Sequence, residues 1–398
     1  MTPAARVAAA IECLDAILDG APAERVLTRW ARGHRFAGSK DRAAIRDHVF
    51  DALRCRRSFA ALGGGETGRG LMLGALHAAG TPAETVFTGE RHAPAAPSPA
   101  ERAFRPPAMD ALPETVRLDC PDWLAPELRA SLGRDFAPVM AALRARAPVH
   151  LRVNLRRTGR EAAARRLADE GITTRPHPLS PTALEVMAGA RRVRGSGAFA
   201  DGWIELQDAA SQAVCDAIPV PGGARVLDLC AGGGGKTLAL AGRARARFFA
   251  HDAAPRRMAD LPARAARAGV EVERLDTVAL ATAAPFDLVV ADVPCSGSGA
   301  WRRAPEGKWR LDAPALARLT ATQDAILDHA AALTAQGGVL AYVTCSLLGV
   351  ENGARVGAFL TRHPGWRQRL SRALTPLEGG DGFFVTLLTR DSQAVQPP

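Results

Sequence analysis

The chain has 398 residues, 47% of them hydrophobic, which is enough to bury two or three cores, and no apolar run approaches the ~20 residues that span a membrane. Glu12, Asp15 and Asp19 interrupt the N-terminal stretch where a signal peptide would be apolar, and the seven cysteines show neither a C-x-x-C pair nor zinc spacing. We therefore expect a cytoplasmic protein without disulfides, structural metal or membrane partner. The net charge of +10 favours a nucleic-acid partner, although GC-rich coding would also supply the arginine.

Residues 1–142 are predicted to form a helical domain, because VAAAIECLDAIL, AERVLTRWA and DRAAIRDHVFDALRCRRSFAAL place apolar residues at helical spacing. Lys40, Arg42 and Arg46 form a basic helix face, which fits phosphate contacts and a solvated surface equally well. The stretch at about 81–121 is rich in proline and alanine, and we expect a linker or an irregular wrap there.

Residues 147–203 read as strand, helix, strand and strand, which predicts a small α+β module. Six of its arginines are candidates for a nucleic-acid ledge, with solvated charge as the alternative: Arg152, Arg156, Arg157, Arg191, Arg192 and Arg194.

Residues 204–392 alternate strands and helices, which predicts a parallel, doubly wound, Rossmann-like sheet. The predicted strands are ARVLDLC, RFFAHDA, VEVERLD, FDLVVADVP and GGVLAYVTCS. Ligands of such sheets bind beyond the carboxyl ends of the strands. Each of the five predicted strands ends there in a polar residue: Asp228, Asp252, Asp276, Asp292 and Cys345.

The segment RVLDLCAGGGGKT looks like a phosphate-binding loop, but G-x-x-x-x-G-K-[ST] requires a glycine at the position of Cys230. The dinucleotide pattern G-x-G-x-x-G also fails by one residue. Asp252 lies twenty residues beyond Gly232, the offset of a ribose-binding carboxylate, so a nucleoside ligand is predicted. Asp228 is placed to accept from an amine and Asp276 to reach an adenine amino group. Capping of strand ends is the alternative for each.

Cys295 and Cys345 follow adjacent predicted strands, in the turn sequences Pro-Cys-Ser-Gly and Thr-Cys-Ser. Buried structural cysteines are the common alternative. A reactive thiol needs nearby positive charge, because its unperturbed pKa is about 8.5. Lys236 and Lys308, two of only three lysines, are the candidates for that charge.

Together these residues resemble the Sun/Fmu-type RNA cytosine-5 methyltransferases, in particular the bacterial members that modify small-subunit ribosomal RNA. The resemblance covers about residues 151–390. It is carried by DLCAGGGGKT, HDAAPRR, DVPCSGSGAWRRAPEGKW, TCSLLGVEN, QDAASQ, LRVNLRRT and DGFF. The helical N-terminus also looks like the RNA-binding domain of those members, and the small module is expected to be similar to an RRM.

The resemblance implies an S-adenosylmethionine-dependent enzyme that forms 5-methylcytosine, most favourably in 16S ribosomal RNA, through a covalent cysteine–cytosine intermediate. It assigns Cys345 as the nucleophile and Cys295 to product release, with Asp292 and Lys236 beside the base. No metal is expected, RNA is the partner, and we expect a monomer. The implied cofactor-binding residues are Asp228, Cys230, Ala231, Gly232, Gly233, Gly234, Gly235, Lys236, Asp252, Arg257, Asp276 and Asp292.

The family has alanine and proline where this chain has Gly232 and Gly233, so we expect a looser turn and weaker cofactor binding. Two other functions stay open beside the main hypothesis: a transfer-RNA cytosine-5 methyltransferase, and a catalytically silent RNA-binding factor of ribosome assembly. A P-loop NTPase is disfavoured by the missing glycine.

Overall fold

The computed structural model describes residues 1–390, so the last two residues of the predicted 204–392 domain lie outside the described residues. The fold divides into two units. Unit 1 comprises Met1–Arg146 and Trp301–Arg310, and unit 2 comprises Ala147–Ala300 and the chain from Leu311 onward. Among the described residues, no helix is both long enough and apolar enough to cross a membrane.

Unit 1 is helical. Helix α1 begins where the Thr2 hydroxyl accepts a hydrogen bond from Ala5 N and Pro3 occupies the first turn, both common at helix starts. Its helices are α1 (Pro3–Leu18), α2 (Ala23–Gly33), α3 (Ser39–Arg54), α4 (Arg56–Gly63), α5 (Gly68–Ala78), α6 (Pro99–Ala103), α7 (Glu114–Arg117), α8 (Ala125–Leu132), α9 (Phe136–Leu143) and α16 (Glu306–Arg310).

The stretch 81–121 is an irregular part of unit 1 rather than a free linker. It contains only short helical turns, yet Phe87, Leu118 and Cys120 are buried. Those apolar side chains supply the burial that offsets the entropy of ordering a proline-rich segment.

Lys308, one of the two candidate cations, belongs to unit 1. Its Nζ donates to the Arg54 carbonyl at 3.3 Å. Asp119, and after it the thiols of Cys55 and Cys120, favour the charged form of Lys308. Burial lowers the pKa of Lys308 to about 8.

The small module of unit 2 is a four-stranded antiparallel sheet in the order β2-β3-β1-β4. Strand β4 pairs with β1, so the boundary predicted between residues 203 and 204 is wrong: the small sheet extends to Leu206. A three-residue strand is too short to show alternation in the sequence. The elements are β1 (His150–Val153), α10 (Arg160–Asp169), β2 (Thr173–Pro176), β3 (Ala183–Ala188), α11 (Gly197–Ala200) and β4 (Ile204–Leu206).

The larger sheet has seven strands in the order β10-β11-β9-β8-β5-β6-β7. The predicted Rossmann-like fold is confirmed, but a wholly parallel sheet is wrong, because β10 and β11 add to β9 in antiparallel orientation. The strands are β5 (Arg225–Asp228), β6 (Arg247–Ala250), β7 (Val272–Arg274), β8 (Phe286–Asp292), β9 (Thr334–Thr344), β10 (Trp366–Leu374) and β11 (Phe383–Arg390).

Helices cover both faces of this sheet, and successive strand residues point into two different cores. Val226 of β5 packs in one core and Leu227 in the other, as do Leu288 and Val289 of β8. The helices are α12 (Ala209–Ala217), α13 (Gly235–Ala241), α14 (Leu261–Ala268), α15 (Thr277–Ala283), α17 (Ala313–Leu333) and α18 (Gly353–Arg362).

Three of the six arginines proposed as a nucleic-acid ledge join the small module to the larger sheet. Arg152 is buried and donates to the Gly235 carbonyl at 2.9 Å. Arg156 and Arg157 donate to backbone carbonyls at the ends of α13 and α14. The ledge hypothesis is therefore wrong for the buried Arg152, whereas Arg156 and Arg157 are exposed and the hypothesis stays a prediction for them.

Candidate active site

The predicted chemical groups meet at one edge of the seven-stranded sheet. Asp228 ends β5, Asp292 ends β8 and Cys345 follows β9 directly, and these three strands are neighbours in the sheet. Parallel strands present their carboxyl ends at the same edge. The order of strands therefore brings together residues more than a hundred positions apart in the chain.

The glycine run forms a tight turn from β5 into α13. Gly232 and Gly234 have φ angles of +51° and +75°, a region that residues with a Cβ rarely adopt. A Cβ on Gly234 would lie 2.2 Å from a methyl carbon of Leu261. Gly234 N donates to the Ala231 carbonyl at 2.8 Å and closes the turn. An alanine at Gly232 would be strained in this turn.

Asp228 is buried beneath that turn. Its Oδ2 accepts from the backbone N of Thr237 at 3.1 Å and from the Thr237 hydroxyl at 2.6 Å, whereas its Oδ1 is buried without a partner among residues 1–390. Burial raises the pKa of Asp228 to about 6, and the nearby Asp292 charge adds to the shift. A buried oxygen without a donor is costly, so this one fits a ligand that brings an N–H group.

Asp252 follows β6 and holds the glycine turn. Its Oδ2 accepts from Gly232 N at 2.9 Å and its Oδ1 from Ala254 N at 2.8 Å, while Arg257 lies 3.3 Å away. Asp276 is exposed and caps α15 by accepting from Ala279 N at 2.8 Å, so the capping alternative applies to it. Its contact with an adenine amino group stays a prediction.

Lys236 and Asp292 form an ion pair at the centre of the site. Lys236 Nζ lies 2.7 Å from Asp292 Oδ2 and 5.1 Å from the centre of the Phe383 ring. Burial alone would lower the pKa of Lys236, but the Asp292 carboxylate outweighs it and raises that pKa. Lys236 therefore stays charged and holds the Asp292 carboxylate in place.

Cys295 and Cys345 lie with their Sγ atoms 3.4 Å apart. A hydrogen bond from Cys295 lowers the pKa of Cys345 despite burial, and Lys236 acts in the same direction. The same hydrogen bond and burial raise the pKa of Cys295 well above its ordinary value. Cys345 is therefore the more acidic thiol of the pair. Burial raises the pKa of Cys230 to about 12, so it stays a thiol.

Glu351 is a site residue that the sequence analysis missed. It is completely buried and accepts from Ser296 N at 2.8 Å, from the Ser296 hydroxyl at 2.5 Å, from the Ser346 hydroxyl at 2.5 Å and from Gln323 Nε2 at 3.0 Å. Ser296 and Ser346 directly follow the two cysteines, so one carboxylate fixes both thiol-bearing loops. Its place in TCSLLGVEN was the only sequence signal.

Comparison with known proteins identifies the family. The family model described as "16S rRNA methyltransferase RsmB/F" matches residues 218–388, and the model of the RsmF/B-like ferredoxin-like domain matches residues 120–192. The ribosomal RNA small subunit methyltransferase B of Pseudomonas putida is 34% identical over 294 residues, which cover 69% of this chain and 67% of that protein. This chain belongs to the RsmB/F methyltransferase family.

Other relatives agree with this membership, and the alignments span about two thirds of the relatives' length. The methyltransferase B of Yersinia pestis is 30% identical over 316 residues, which cover 73% of this chain and 71% of that protein. Solved structures share the fold: PH0851 covers 98% of this chain at a TM-score of 0.75 and 22% identity. NSun6 from Pyrococcus horikoshii covers 68% at a TM-score of 0.60 and 17% identity.

As an RsmB/F methyltransferase, the chain uses S-adenosylmethionine, and the residues at the sheet edge fit this cofactor. The free Oδ1 of Asp228 suits its amino group, and Asp252 lies where a ribose hydroxyl needs an acceptor. The turn around Gly232 lets the backbone approach the ligand closely. The residue-by-residue assignment of the cofactor site stays a prediction.

Proposed function

We propose that this chain methylates carbon 5 of a cytosine in RNA, with Cys345 as the covalent nucleophile. The observation that carries the proposal is the pair of thiols 3.4 Å apart beside the Lys236–Asp292 ion pair. Methyl transfer to a nucleophilic oxygen or nitrogen needs no thiol pair. Carbon 5 of cytosine is different, because it is a poor nucleophile until a thiolate has added to carbon 6.

The proposed reaction has two covalent stages. The Cys345 thiolate forms a bond to carbon 6, and the electron pair of the carbon 5–carbon 6 double bond moves towards N3. A proton delivered to N3 through Asp292, with the Lys236 cation beside it, offsets the developing negative charge, and this proton returns when the ring is restored. S-adenosylmethionine supplies the methyl group to carbon 5 and leaves as S-adenosylhomocysteine. The carbon 5 proton then passes to a base, its electron pair restores the double bond, and Cys345 leaves as a thiolate. We assign assistance in this release to Cys295.

The roles of the two cysteines are tested by trapping. Cys345→Ala should abolish both methylation and any covalent adduct, whereas Cys295→Ala should stay bound to RNA as a slow band on a denaturing gel. Cys13→Ala, which removes a thiol buried in unit 1, serves as the matched control and should methylate without trapping. A trapped band from Cys345→Ala would reverse the two roles.

We propose ribosomal RNA as the substrate, a monomer as the working form and the cytoplasm as the location. The net charge of +10 suits an RNA partner, and the curated relatives are named as small-subunit ribosomal RNA methyltransferases. An unpaired or flipped cytosine is the expected substrate, because stacking in a duplex hides carbon 6. Bisulfite sequencing of total RNA from a deletion strain tests this. Loss of protection only in a transfer RNA would favour that alternative, and no loss anywhere would favour an RNA-binding factor.

A further inference from the structure

We propose that the small sheet of unit 2 holds a divalent transition-metal site formed by His150, His177 and Glu185, suited to Zn²⁺. One ring nitrogen of each histidine and one carboxylate oxygen lie within 4.8 Å of one another, and both histidines are buried. Tetrahedral zinc sites use such nitrogen and oxygen ligands at about 2.0–2.2 Å from the metal. Small movements of the three side chains would bring each ligand atom to that bonding distance from a shared metal ion.

Strand register places the three residues on one face of the sheet. His150 of β1 is the direct partner of Glu185 on β3, and directly paired residues share a face. Glu185 is also paired with Arg175 on β2, and His177 lies two residues beyond Arg175. Since side chains alternate along a strand, His177 returns to the same face. The cluster is therefore built into the pairing of three strands.

One tautomer of His150 leaves its buried Nε2 free for a metal. Its Nδ1 lies 3.1 Å from Asp208 Oδ2 and 3.2 Å from Ala209 N, so in one tautomer it donates to the carboxylate and in the other it accepts from the amide; its Nε2 is buried without a partner among the described residues. A carboxylate that receives Nδ1–H turns the Nε2 lone pair outward for a metal. A buried ring nitrogen without a partner is otherwise costly.

The existing contacts of His177 and Glu185 leave each side chain able to bind a metal ion as well. His177 Nδ1 takes only a long hydrogen bond, 3.3 Å from Leu179 N, and its ring centre lies 4.8 Å from that of His150. Glu185 brings the negative charge, with its Oε2 paired to Arg175 at 2.8 Å. Two imidazoles and one carboxylate favour zinc-like ions over Mg²⁺ or Ca²⁺, which prefer oxygen ligands.

The site would stabilise the small module rather than take part in methyl transfer. A metal there would link β1, β2 and β3. Through His150 and Asp208 it would also support α12 and the loop at Asp381. Asp208 caps α12 by accepting from Ala210 N at 2.8 Å, and it accepts from Asp381 N at 2.9 Å. The sequence analysis found no metal site, because the three ligands are separated by 27 and 8 positions and contain no cysteine.

Metal binding by the full-length chain tests the proposal. After purification with a chelator and dialysis against Zn²⁺, we expect one equivalent of zinc by mass spectrometry. Titration with Co²⁺ should give the visible absorption of a tetrahedral site without the near-ultraviolet bands of thiolate ligands. The absence of bound zinc and cobalt in the wild-type chain would overturn the proposal, as would thiolate bands, which would place the metal on cysteines.

Variants locate the ion. His177→Gln and Glu185→Gln should each weaken Co²⁺ binding at least tenfold, and Asp208→Asn about tenfold or more through His150. His363→Gln is the matched control, since His363 pairs with Asp328 elsewhere in unit 2, and it should bind as the wild type does. Circular dichroism checks that each variant folds. If one of the two ligand variants, His177→Gln or Glu185→Gln, does not fold, the other one still tests the proposal. Wild-type affinity in both ligand variants would refute the assignment.

Discussion

Replacing Glu351 with glutamine should loosen both thiol-bearing loops while leaving the shape of the buried side chain almost unchanged. In the wild type, four donors from Ser296, Ser346 and Gln323 converge on this one buried carboxylate. The amide keeps one acceptor oxygen and replaces the other with a donor. At about 1.5 kcal/mol for each of two lost bonds to a charged acceptor, we expect a loss of about 3 kcal/mol in unfolding free energy.

The same substitution should change the chemistry of Cys345. Its thiolate depends first on the hydrogen bond from Cys295, and that bond requires the two loops to stay 3.4 Å apart at their sulfur atoms. If the loops separate, the pKa of Cys345 should rise and kcat should fall. Stability is measured by urea unfolding, and the thiolate by the pH dependence of Cys345 alkylation, followed by mass spectrometry.

Glu273→Gln is the matched control, because Glu273 is exposed on β7, and it should change neither stability nor alkylation. An unchanged free energy of unfolding in the Glu351→Gln variant would refute the expected loss of two hydrogen bonds to the carboxylate. A loss of stability with an unchanged alkylation profile would show that Glu351 supports the fold alone and does not position the thiols.

Three further predictions concern the cofactor edge of the sheet. Lys236→Met removes a cation that lowers the pKa of Cys345, so the rise of kcat/KM with pH should move to higher pH; an unchanged profile would contradict this. The pKa of Asp228 is about 6, so S-adenosylmethionine binding measured by calorimetry should strengthen as the pH rises through about 6, where the carboxylate forms, and Asp228→Asn should lose that dependence. Gly234→Ala forces a Cβ into a left-handed turn and against a leucine methyl carbon, and should destabilise the protein by about 1–3 kcal/mol or more in urea unfolding. Gly222→Ala is its control, with open space around the added Cβ, and equal losses in both would be evidence against the turn.

The sequence alone could not predict which lysine acts on the thiols. Both Lys236 and Lys308 were candidates, since spacing along the chain does not reveal which side chain reaches a given strand end. The structure pairs Lys236 with Asp292 and places Lys308 in unit 1. Asp276 shows the same limit, because a carboxylate after a strand serves equally as a ligand contact or as a helix cap, and here it caps α15.

The strands show a second limit. Four of the five parallel strands were predictable because each contains a run of apolar residues followed by a turn; β7 is the exception, with Glu273 and Arg274 in a strand of three residues. Strands β10 and β11 escaped prediction: β10 carries three arginines and is exposed over most of its length, so its strand structure comes from pairing with β11 rather than from its own composition. Pairing partners distant in sequence decide such strands.

The sequence by itself determined the alternation of strands and helices, the carboxylates and cysteines at strand ends, and the failure of the nucleotide-loop patterns at Cys230, because these depend on local order along the chain. Only the tertiary structure decided which thiol is the more acidic, which lysine pairs with Asp292 beside it, and that Glu351 ties the two cysteine loops together. It also brought His150, His177 and Glu185 to one face. These depend on distances from 2.5 Å at Glu351 to 4.8 Å in the histidine cluster, and strand order and burial set those distances.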